Sequence, residues 1–147
     1  MRILKSLLIV GVITFGSLRA SAQDTPLARS RAAFASADLP GTELAAREVL
    51  QSDTAADHRR EAHLRLANLA WRIHGDFAAA NTHFREALSV ALPFRRSAIF
   101  EQRVRCDVAF GNLASAQADA DSARAAAVSD AGRLQAVRAR AEQALAH

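Results

Sequence analysis

Apolar residues recur at intervals of three and four over residues 76–90, where they would form one face of a helix. The face consists of Phe77, Ala80, Phe84, Ala87 and Leu88. Gly75 comes just before it, and a glycine can end the preceding helix because it enters the left-handed conformation without a Cβ penalty. The pattern therefore predicts two helices, about 55–73 and 76–90, that are joined by a short turn.

The same periodicity predicts five further helices, about 27–37, 42–51, 94–109, 113–127 and 130–146. Proline and glycine within residues 38–41 indicate a turn, after which Thr42 can cap a helix. Thr54 followed by Asp57 resembles a capping box at the start of the 55–73 helix. Ser129 can start the last helix. The chain is thus predicted to be helical throughout its length after residue 26.

Large apolar residues are scarce, although half of the composition is hydrophobic, because alanine supplies much of that half. Outside 76–90, Leu44, Ala45, Val49 and Leu50 are predicted to face inward, and Leu27, Phe34, Trp71 and Phe94 are among the large residues expected in the core. The 94–109 helix also carries the apolar residues Ile99, Val104 and Val108. Alanine buries little area, so the stability of the core must come from these few larger side chains.

The order of residues in the central helix pair resembles the tetratricopeptide repeat, in which two antiparallel helices pack small residues against large ones. The matching positions are Trp71, Gly75, Phe77, Ala80, Phe84 and Ala87. Gly111-Asn-Leu113 repeats the start of the second helix at an offset of 36 residues, close to the family's period of ~34. The matching small and large positions that follow are all alanine: Ala116, Ala120 and Ala123. Asp107 stands where Trp71 would be.

The resemblance implies an all-α fold, an antiparallel helix-hairpin solenoid of about three helix pairs plus a C-terminal capping helix. Within a domain of residues 23–147, the best-matched repeat is 62–92, the second is 96–127, a degenerate one is 26–52, and the capping helix is 130–146. The resemblance also places Leu64, Ala67 and Asn68 in the packing between the two helices of the central pair. Three pairs are about the minimum at which such a stack buries a continuous core.

By the same resemblance, the first helix of each pair would line a concave groove that binds another protein. The groove residues would be Arg65, Leu69, Arg72, Ile73, Glu101 and Arg105. Whatever the family, Arg65, Leu69 and Arg72 share a helix face because they are spaced at i, i+4 and i+7. Guanidinium groups bind carboxylates in bidentate fashion, so the implied partner is a protein or peptide with acidic side chains.

Residues 1–22 have the pattern of a signal peptide, with a basic start, an apolar run from Leu7 to Gly16, and small residues at Ala20 and Ala22. We expect cleavage after Ala22 and a periplasmic or secreted location, with an uncleaved N-terminal membrane anchor as the alternative. The apolar run has about half of the ~20 residues that span a bilayer, which favours cleavage. These residues hold three of the 19 basic side chains and none of the 15 acidic ones. The remainder is nearly neutral, so its charge gives no reason to expect nucleic acid as a partner.

The sequence contains no motif for catalysis or for metal binding. His63 and His74 lie about three helical turns apart, and His83 falls on the opposite helix, so these histidines do not form a ligand cluster on one face. Cys106 is the single cysteine, has no histidine near it in sequence, and cannot form an internal disulfide. Arg103, one turn before it, could approach the thiol and lower its pKa. The sequence therefore predicts a protein that is not an enzyme and needs no metal or cofactor.

These observations favour a non-catalytic protein–protein interaction scaffold or adaptor in the bacterial cell envelope. Two alternatives stay open: a structural protein that self-associates as a homo-oligomer, and an accessory subunit of an envelope enzyme or transporter. A simpler interpretation of the arginines stays open as well, in which they are solvated charges paired with Asp57, Glu61 and Asp76.

Overall fold

The computed structural model describes the backbone of residues 25–145 and the side chains of residues 25–132, and the expected signal peptide, residues 1–22, lies outside this part of the chain. Within it the fold is all-α and contains no strand, which confirms the predicted class. The α-helices are α1 (Pro26–Ala35), α2 (Leu39–Ser52), α3 (Ala56–Arg72), α4 (Phe77–Val90), α5 (Arg96–Ala109) and α6 (Leu113–Leu145). A short 3-10 helix (Pro93–Arg95) precedes α5. No helix in the described residues is both long enough and apolar enough to cross a membrane.

Consecutive helices pack in three pairs, α1 on α2, α3 on α4 and α5 on α6. Short turns join the members of each pair, and helices that pack closely across such a turn must run antiparallel. Side-chain contacts show the register in the last pair, where Ser115 donates a hydrogen bond to Asp107 at 2.8 Å and Arg103 pairs with Asp119 at 2.5 Å. From Asp107 to Arg103 the chain of α5 is followed four residues backwards, and from Ser115 to Asp119 the chain of α6 is followed four residues forwards. The two helices are therefore antiparallel.

The first of two compact units ends at Asp53 and contains α1 and α2. Its buried apolar residues are Leu27, Ala45, Ala46 and Val49. Arg29 of α1 forms an ion pair with Glu48 of α2 at 2.6 Å. Phe34 was expected in the core and Leu44 was predicted to face inward, but their exposed fractions are 52% and 71%. Two short helices share a single interface, which covers only one stripe of each.

The second unit begins at Thr54 and contains α3 to α6. Its buried cluster consists of Ala67, Ala70, Ala80, Phe84, Ala87, Ala91, Ile99 and Cys106. Phe84 is fully buried among these small residues, and Trp71 and Phe77 pack against the cluster. The predicted packing of large rings against alanines is thus confirmed for the central pair. Burial of one phenylalanine contributes about 2–3 kcal/mol, so a few such residues dominate the core.

The turn inside each helix pair contains one residue in the left-handed conformation. These residues are Ala37 (φ 58°), Gly75 (φ 64°) and Gly111 (φ 76°). In the first and third turns the N–H of the next residue bonds back to a carbonyl five residues earlier, Asp38 to Ala33 and Asn112 to Asp107. The glycines at 75 and 111 agree with the predicted turns, whereas Ala37 takes the same conformation despite its Cβ.

The start of α2 differs from the prediction that Thr42 caps it. Asp38 is the N-cap, since its side chain accepts a hydrogen bond from the N–H of Gly41 at 3.0 Å. Pro40 and Gly41 therefore belong to the first turn of the helix, where proline is tolerated because its missing N–H would have no partner. A Cβ on Gly41 would lie 2.1 Å from Asp38 Oδ2, so only glycine admits this cap. The Thr42 hydroxyl instead donates to the Asp38 carbonyl.

The capping box predicted at Thr54 is also absent, since α3 starts at Ala56 with Ala55 as its N-cap and without a side-chain cap bond. In the last pair, α6 runs unbroken through Ser129, so the segment predicted as a separate capping helix, 130–146, continues α6 as far as Leu145. Gly132 costs roughly 1 kcal/mol in a helix interior, which the neighbouring alanines offset. Phe94, expected among the large core residues, lies in the 3-10 helix and is 52% exposed.

Candidate functional site

Four of the predicted groove residues lie in the second half of α3 and just beyond it. Arg65 is half-buried and forms an ion pair with Glu61 at 2.5 Å, a pair that the simpler interpretation of the arginines expected. Leu69 is 4% exposed, so its side chain belongs to the packing. Arg72 is exposed, and Ile73, the C-cap residue, is 52% exposed. The accessible part of the predicted groove on α3 is therefore Arg72 with Ile73.

The other two predicted groove residues, Glu101 and Arg105, are both exposed on α5. They lie one helical turn apart, and Val108, 54% exposed, follows on the next turn. Among the described residues, neither Glu101 nor Arg105 forms an ion pair within 4.0 Å. The charges of this helix face are therefore available to a ligand.

A hydrogen bond between side chains joins α3 to α5 beside these residues. Asn68 Nδ2 donates to Gln102 Oε1 at 3.0 Å and also to the carbonyl of Leu64 at 2.8 Å. The Oδ1 atom of Asn68 accepts from Trp71 Nε1 at 3.2 Å, and the Arg72 guanidinium lies 4.7 Å from the Trp71 ring centroid. The side-chain amide of Asn68 thus forms hydrogen bonds with Gln102 on α5 and with Trp71 on α3.

Sequence reasoning placed Asn68 in the packing between α3 and α4 and did not identify its bridge to Gln102. The two residues are 34 positions apart, which equals the period of the repeat that the chain resembles. This spacing of 34 residues was the one feature of the sequence that could have indicated the bridge between Asn68 and Gln102. The bridge joins the first helices of two successive pairs, α3 and α5.

Large apolar side chains gather at the turns that end α3 and α5. Phe77, the first residue of α4, contacts Phe110, the C-cap of α5, with ring centroids 5.2 Å apart. Beside them Phe110 is 37% exposed and Leu113 is 67% exposed. A cleft of about 610 Å³ opens here, lined by Phe77, Asn81, Gly111, Asn112, Leu113, Ala114 and Ser115. This cleft, named the turn cleft below, lies at the same end of the helices as Ile73.

His63 and His83 form a contact that the sequence analysis did not predict. Their Nδ1 atoms are 3.1 Å apart and their ring centroids 5.4 Å apart, so each Nδ1 lies close to the line between the two rings. This is the geometry of an N–H···N hydrogen bond between opposite neutral tautomers. Burial, and secondly the charge of His83, lower the pKa of His63 to about 4, with Glu86 opposing and Arg59 adding to the effect.

Cys106 is fully buried in the core cluster. Burial, followed by the charge of Asp107, raises the pKa of its thiol to about 11. Arg103 acts in the opposite direction, as the sequence suggested, but its guanidinium is held by Asp119 and the other two effects outweigh it. The thiol therefore stays protonated at neutral pH and packs as a small apolar residue.

Within the described residues, no group of three or more His, Cys, Asp or Glu side chains is placed to hold a metal ion. Comparison of the chain with protein-family models, with curated proteins and with solved structures gave no match. The exposed side chains of α3 and α5 and the residues of the turn cleft are the candidate functional surface.

Proposed function

We propose that this chain is a non-catalytic scaffold of the bacterial cell envelope, with a tetratricopeptide-like fold, that binds a segment of another protein in a concave groove on α3 and α5. The observation that carries the proposal is the set of exposed charged residues on these two helices: Arg72, Glu101 and Arg105. The Asn68–Gln102 hydrogen bond holds these two helices beside each other.

The chemistry of the partner segment follows from the residues available to it. Two exposed guanidinium groups favour carboxylate side chains on the partner, which they bind in bidentate fashion. Ile73, Phe110 and Leu113 offer exposed apolar surface at the adjoining turns, where an apolar side chain of the partner would lose contact with water. The partner is therefore an extended or helical segment with acidic residues next to an apolar anchor.

Two sequence spacings support the tetratricopeptide-like assignment. Gly75 and Gly111 are both in the left-handed conformation and lie 36 residues apart, and the bridging residues Asn68 and Gln102 lie 34 apart. Export to the envelope is supported by the signal-peptide pattern of residues 1–22. A scaffold would expose its groove to envelope partners after cleavage at Ala22.

The test is a charge reversal at the two exposed arginines, Arg72→Glu with Arg105→Glu. Arg65 is left intact because it is half-buried and paired with Glu61, so its replacement would disturb the fold. The wild-type protein is used to capture its partner from native envelope extracts, and the affinity of the identified pair is then measured by calorimetry. We expect the double variant to bind at least tenfold more weakly, at about 1.4 kcal/mol per factor of ten.

The matched control is Arg47→Glu with Arg124→Glu, which makes the same charge change at exposed arginines that do not belong to α3 or α5, with side chains 60% and 72% exposed. Both double variants must keep the wild-type circular dichroism spectrum. Unchanged affinity in Arg72→Glu/Arg105→Glu, or an equal loss in the control, would refute the groove proposal.

A further inference from the structure

The connection between α4 and α5 exposes apolar side chains at the end of the helices opposite the turn cleft. α4 starts beside the turn cleft at Phe77 and ends at Val90, and the chain then turns through the 3-10 helix into α5. Leu92 is 49% exposed and Phe94 is 52% exposed. Two large apolar side chains therefore each have about half of their surface in contact with solvent on one turn.

Cationic residues follow these apolar residues directly. Arg95 and Arg96 are both exposed, and the Arg95 guanidinium lies 5.2 Å from the Phe94 ring centroid. The sequence has no acidic residue between Glu86 and Glu101. Among the described residues, neither guanidinium has a carboxylate within 4.0 Å. The turn thus combines apolar surface with two positive charges that nothing in the described structure neutralises.

The turn is held firmly at both of its ends. Ala91 before it and Ile99 after it are buried in the core cluster. Pro93 starts the 3-10 helix and restricts the backbone dihedral φ, and this short helix packs against both α5 and α6. Leu92 and Phe94 are therefore presented by a rigid support, so binding through them orders little additional chain.

The sequence of α6 adds charge of the same sign beyond the residues that pair with α5. After Asp130 it contains Arg133, Arg138 and Arg140 against a single acidic residue, Glu142. Because α6 packs against the 3-10 helix, this segment continues from the neighbourhood of the exposed turn.

We propose that residues 91–96, named the basic turn, dock on the surface of a membrane that contains anionic lipid. Phe94 and Leu92 enter the boundary between headgroups and acyl chains, and Arg95 and Arg96 bind lipid phosphates. A membrane fits better than an acidic protein because the apolar residues lie on an exposed turn, which can enter the interface of a lipid bilayer. The attachment is peripheral and leaves the groove on α3 and α5 free for its partner.

Vesicle co-sedimentation tests the proposal. The chain is prepared without residues 1–22, whose apolar run would bind lipid by itself, and its circular dichroism spectrum is checked against that of the full chain. Vesicles of phosphatidylcholine alone are compared with vesicles containing about one third phosphatidylglycerol at low and at high salt. We expect binding to the anionic vesicles only, with a marked decrease at high salt because screening weakens the attraction of arginine to anionic lipid.

Substitutions separate the apolar contribution from the charged one. Arg95→Gln with Arg96→Gln should lower the partition coefficient roughly twenty-five-fold, at about fivefold per arginine near an anionic surface. Leu92→Ser with Phe94→Ser should lower it at least about tenfold, because apolar burial in the interface is lost. The matched control is Phe34→Ser with Leu44→Ser, since Phe34 has the same 52% exposure as Phe94 and Leu44 is 71% exposed in the other unit. This control should bind as the wild type does.

Two results would overturn the proposal: no binding to anionic vesicles, or equal losses in the control and in the Leu92/Phe94 variant. A third would replace it. If a polyglutamate peptide binds with dependence on Phe94 while vesicles do not, the basic turn takes an acidic protein. Arg72→Glu/Arg105→Glu must still bind vesicles, so failure of the groove proposal and failure of this one can be told apart.

Discussion

Ala37 occupies a backbone conformation that its own side chain disfavours. Its φ of 58° places the Cβ close to the backbone, and the equivalent turns of the other two helix pairs have glycine at this point. This conformation is stabilised by the hydrogen bond from the Asp38 N–H to the Ala33 carbonyl, 2.9 Å, which closes the end of α1. No sequence rule identifies an alanine as the left-handed residue, so this turn was predicted at residues 38–41.

Replacing Ala37 by glycine should therefore stabilise the protein. We expect Ala37→Gly to raise the free energy of unfolding by about 0.5–1 kcal/mol, since the relief of strain exceeds the added entropy of the unfolded chain. Thermal unfolding measures the change. The control is Ala32→Gly in the interior of α1, which should lower stability by about 1 kcal/mol. A loss of stability in Ala37→Gly would contradict the inferred strain.

His63 makes the stability of the protein depend on pH. Its pKa is lowered from 6.5 to about 4 in the fold, so the unfolded chain binds more protons between these two pH values. The free energy of unfolding contributed by this residue is complete above pH 6.5 and decreases as the pH falls towards 4. The groups that act on it from the packed helices are His83 and Glu86 on α4 and Arg59 on α3.

We expect the wild type to lose on the order of 2 kcal/mol through this residue between pH 7 and pH 4, a figure reduced from the full shift because solvent partly screens the pair. The variant His63→Leu should have a flatter dependence of stability on pH over that range. Urea unfolding at several pH values provides the measurement, with His74→Leu as a control at an exposed histidine. Parallel profiles for wild type and His63→Leu would show that the pair does not titrate in this way.

The α5–α6 pair is held by polar contacts where the α3–α4 pair uses aromatic rings. Asp107, 1% exposed, accepts from Ser115, and the side chain of Asp119, 5% exposed, binds Arg103. Burial raises the pKa of Asp119, Arg103 opposes this, and Asp107 adds to it. With alanine at positions 116, 120 and 123, the apolar contacts of this pair are small. The directional polar contacts therefore specify its register.

Removal of Arg103 should leave the buried carboxylate of Asp119 without its cation. We expect Arg103→Gln to destabilise the protein by about 2–3 kcal/mol at pH 7, and by less as the pH is lowered, because burial raises the pKa of Asp119 and a protonated carboxyl no longer needs a cation. The double variant Arg103→Met/Asp119→Leu should recover most of the loss. Urea unfolding compares the stability of these proteins with that of Arg124→Gln. This substitution removes the exposed ion pair between Arg124 and Asp121 and should lower the free energy of unfolding by less than about 0.5 kcal/mol. An effect of Arg103→Gln no larger than that of Arg124→Gln would contradict this role.

At the scale of elements, the sequence predicted the helix pairs and most of their bounds, because apolar spacing and the glycines at 75 and 111 act locally. It failed at the N-terminal caps of α2 and α3 and at the interior of α6. Asp38 caps α2 only because Gly41 leaves room for its carboxylate. Sequence rules that score each turn-forming residue separately do not detect this dependence of one residue on another. Serine often occurs at the start of a helix, but Ser129 lies in the interior of α6, which is helical on both sides of it, so no new helix begins there.

At the scale of the whole molecule, stability of the second unit depends on a few buried large residues among alanines. Phe84 has no exposed surface, whereas Phe94 is 52% exposed. We expect Phe84→Ala to lower the free energy of unfolding by about 3–4 kcal/mol through lost burial and the remaining cavity, and Phe94→Ala to lower it by less than about 0.5 kcal/mol. Chemical denaturation of both variants measures this. Similar losses in the two would mean that the core is not where the structure places it.

The two surfaces for which we propose a binding role lie towards opposite ends of this unit. The groove of α3 and α5 meets the turn cleft at one end, and the basic turn lies at the other. The sequence analysis placed Arg72 and Arg105 in the predicted groove, and it placed Phe94 in the core. A phenylalanine at helical spacing suggests burial, but only the packed neighbours show whether a partner helix covers it.

The sequence by itself determined the helical class, the pairing of helices and the alanine-rich core, because hydrophobic period and left-handed glycines depend on residues close together in the chain. The tertiary structure alone decided which residues of the predicted groove stay accessible, since the pair with Glu61 and the burial of Leu69 remove Arg65 and Leu69 from the surface. It also decided the contacts between His63 and His83 and between Asn68 and Gln102, which join residues 20 and 34 positions apart. Such contacts depend on the packing of one helix against another, and the spacing within each helix does not specify that packing.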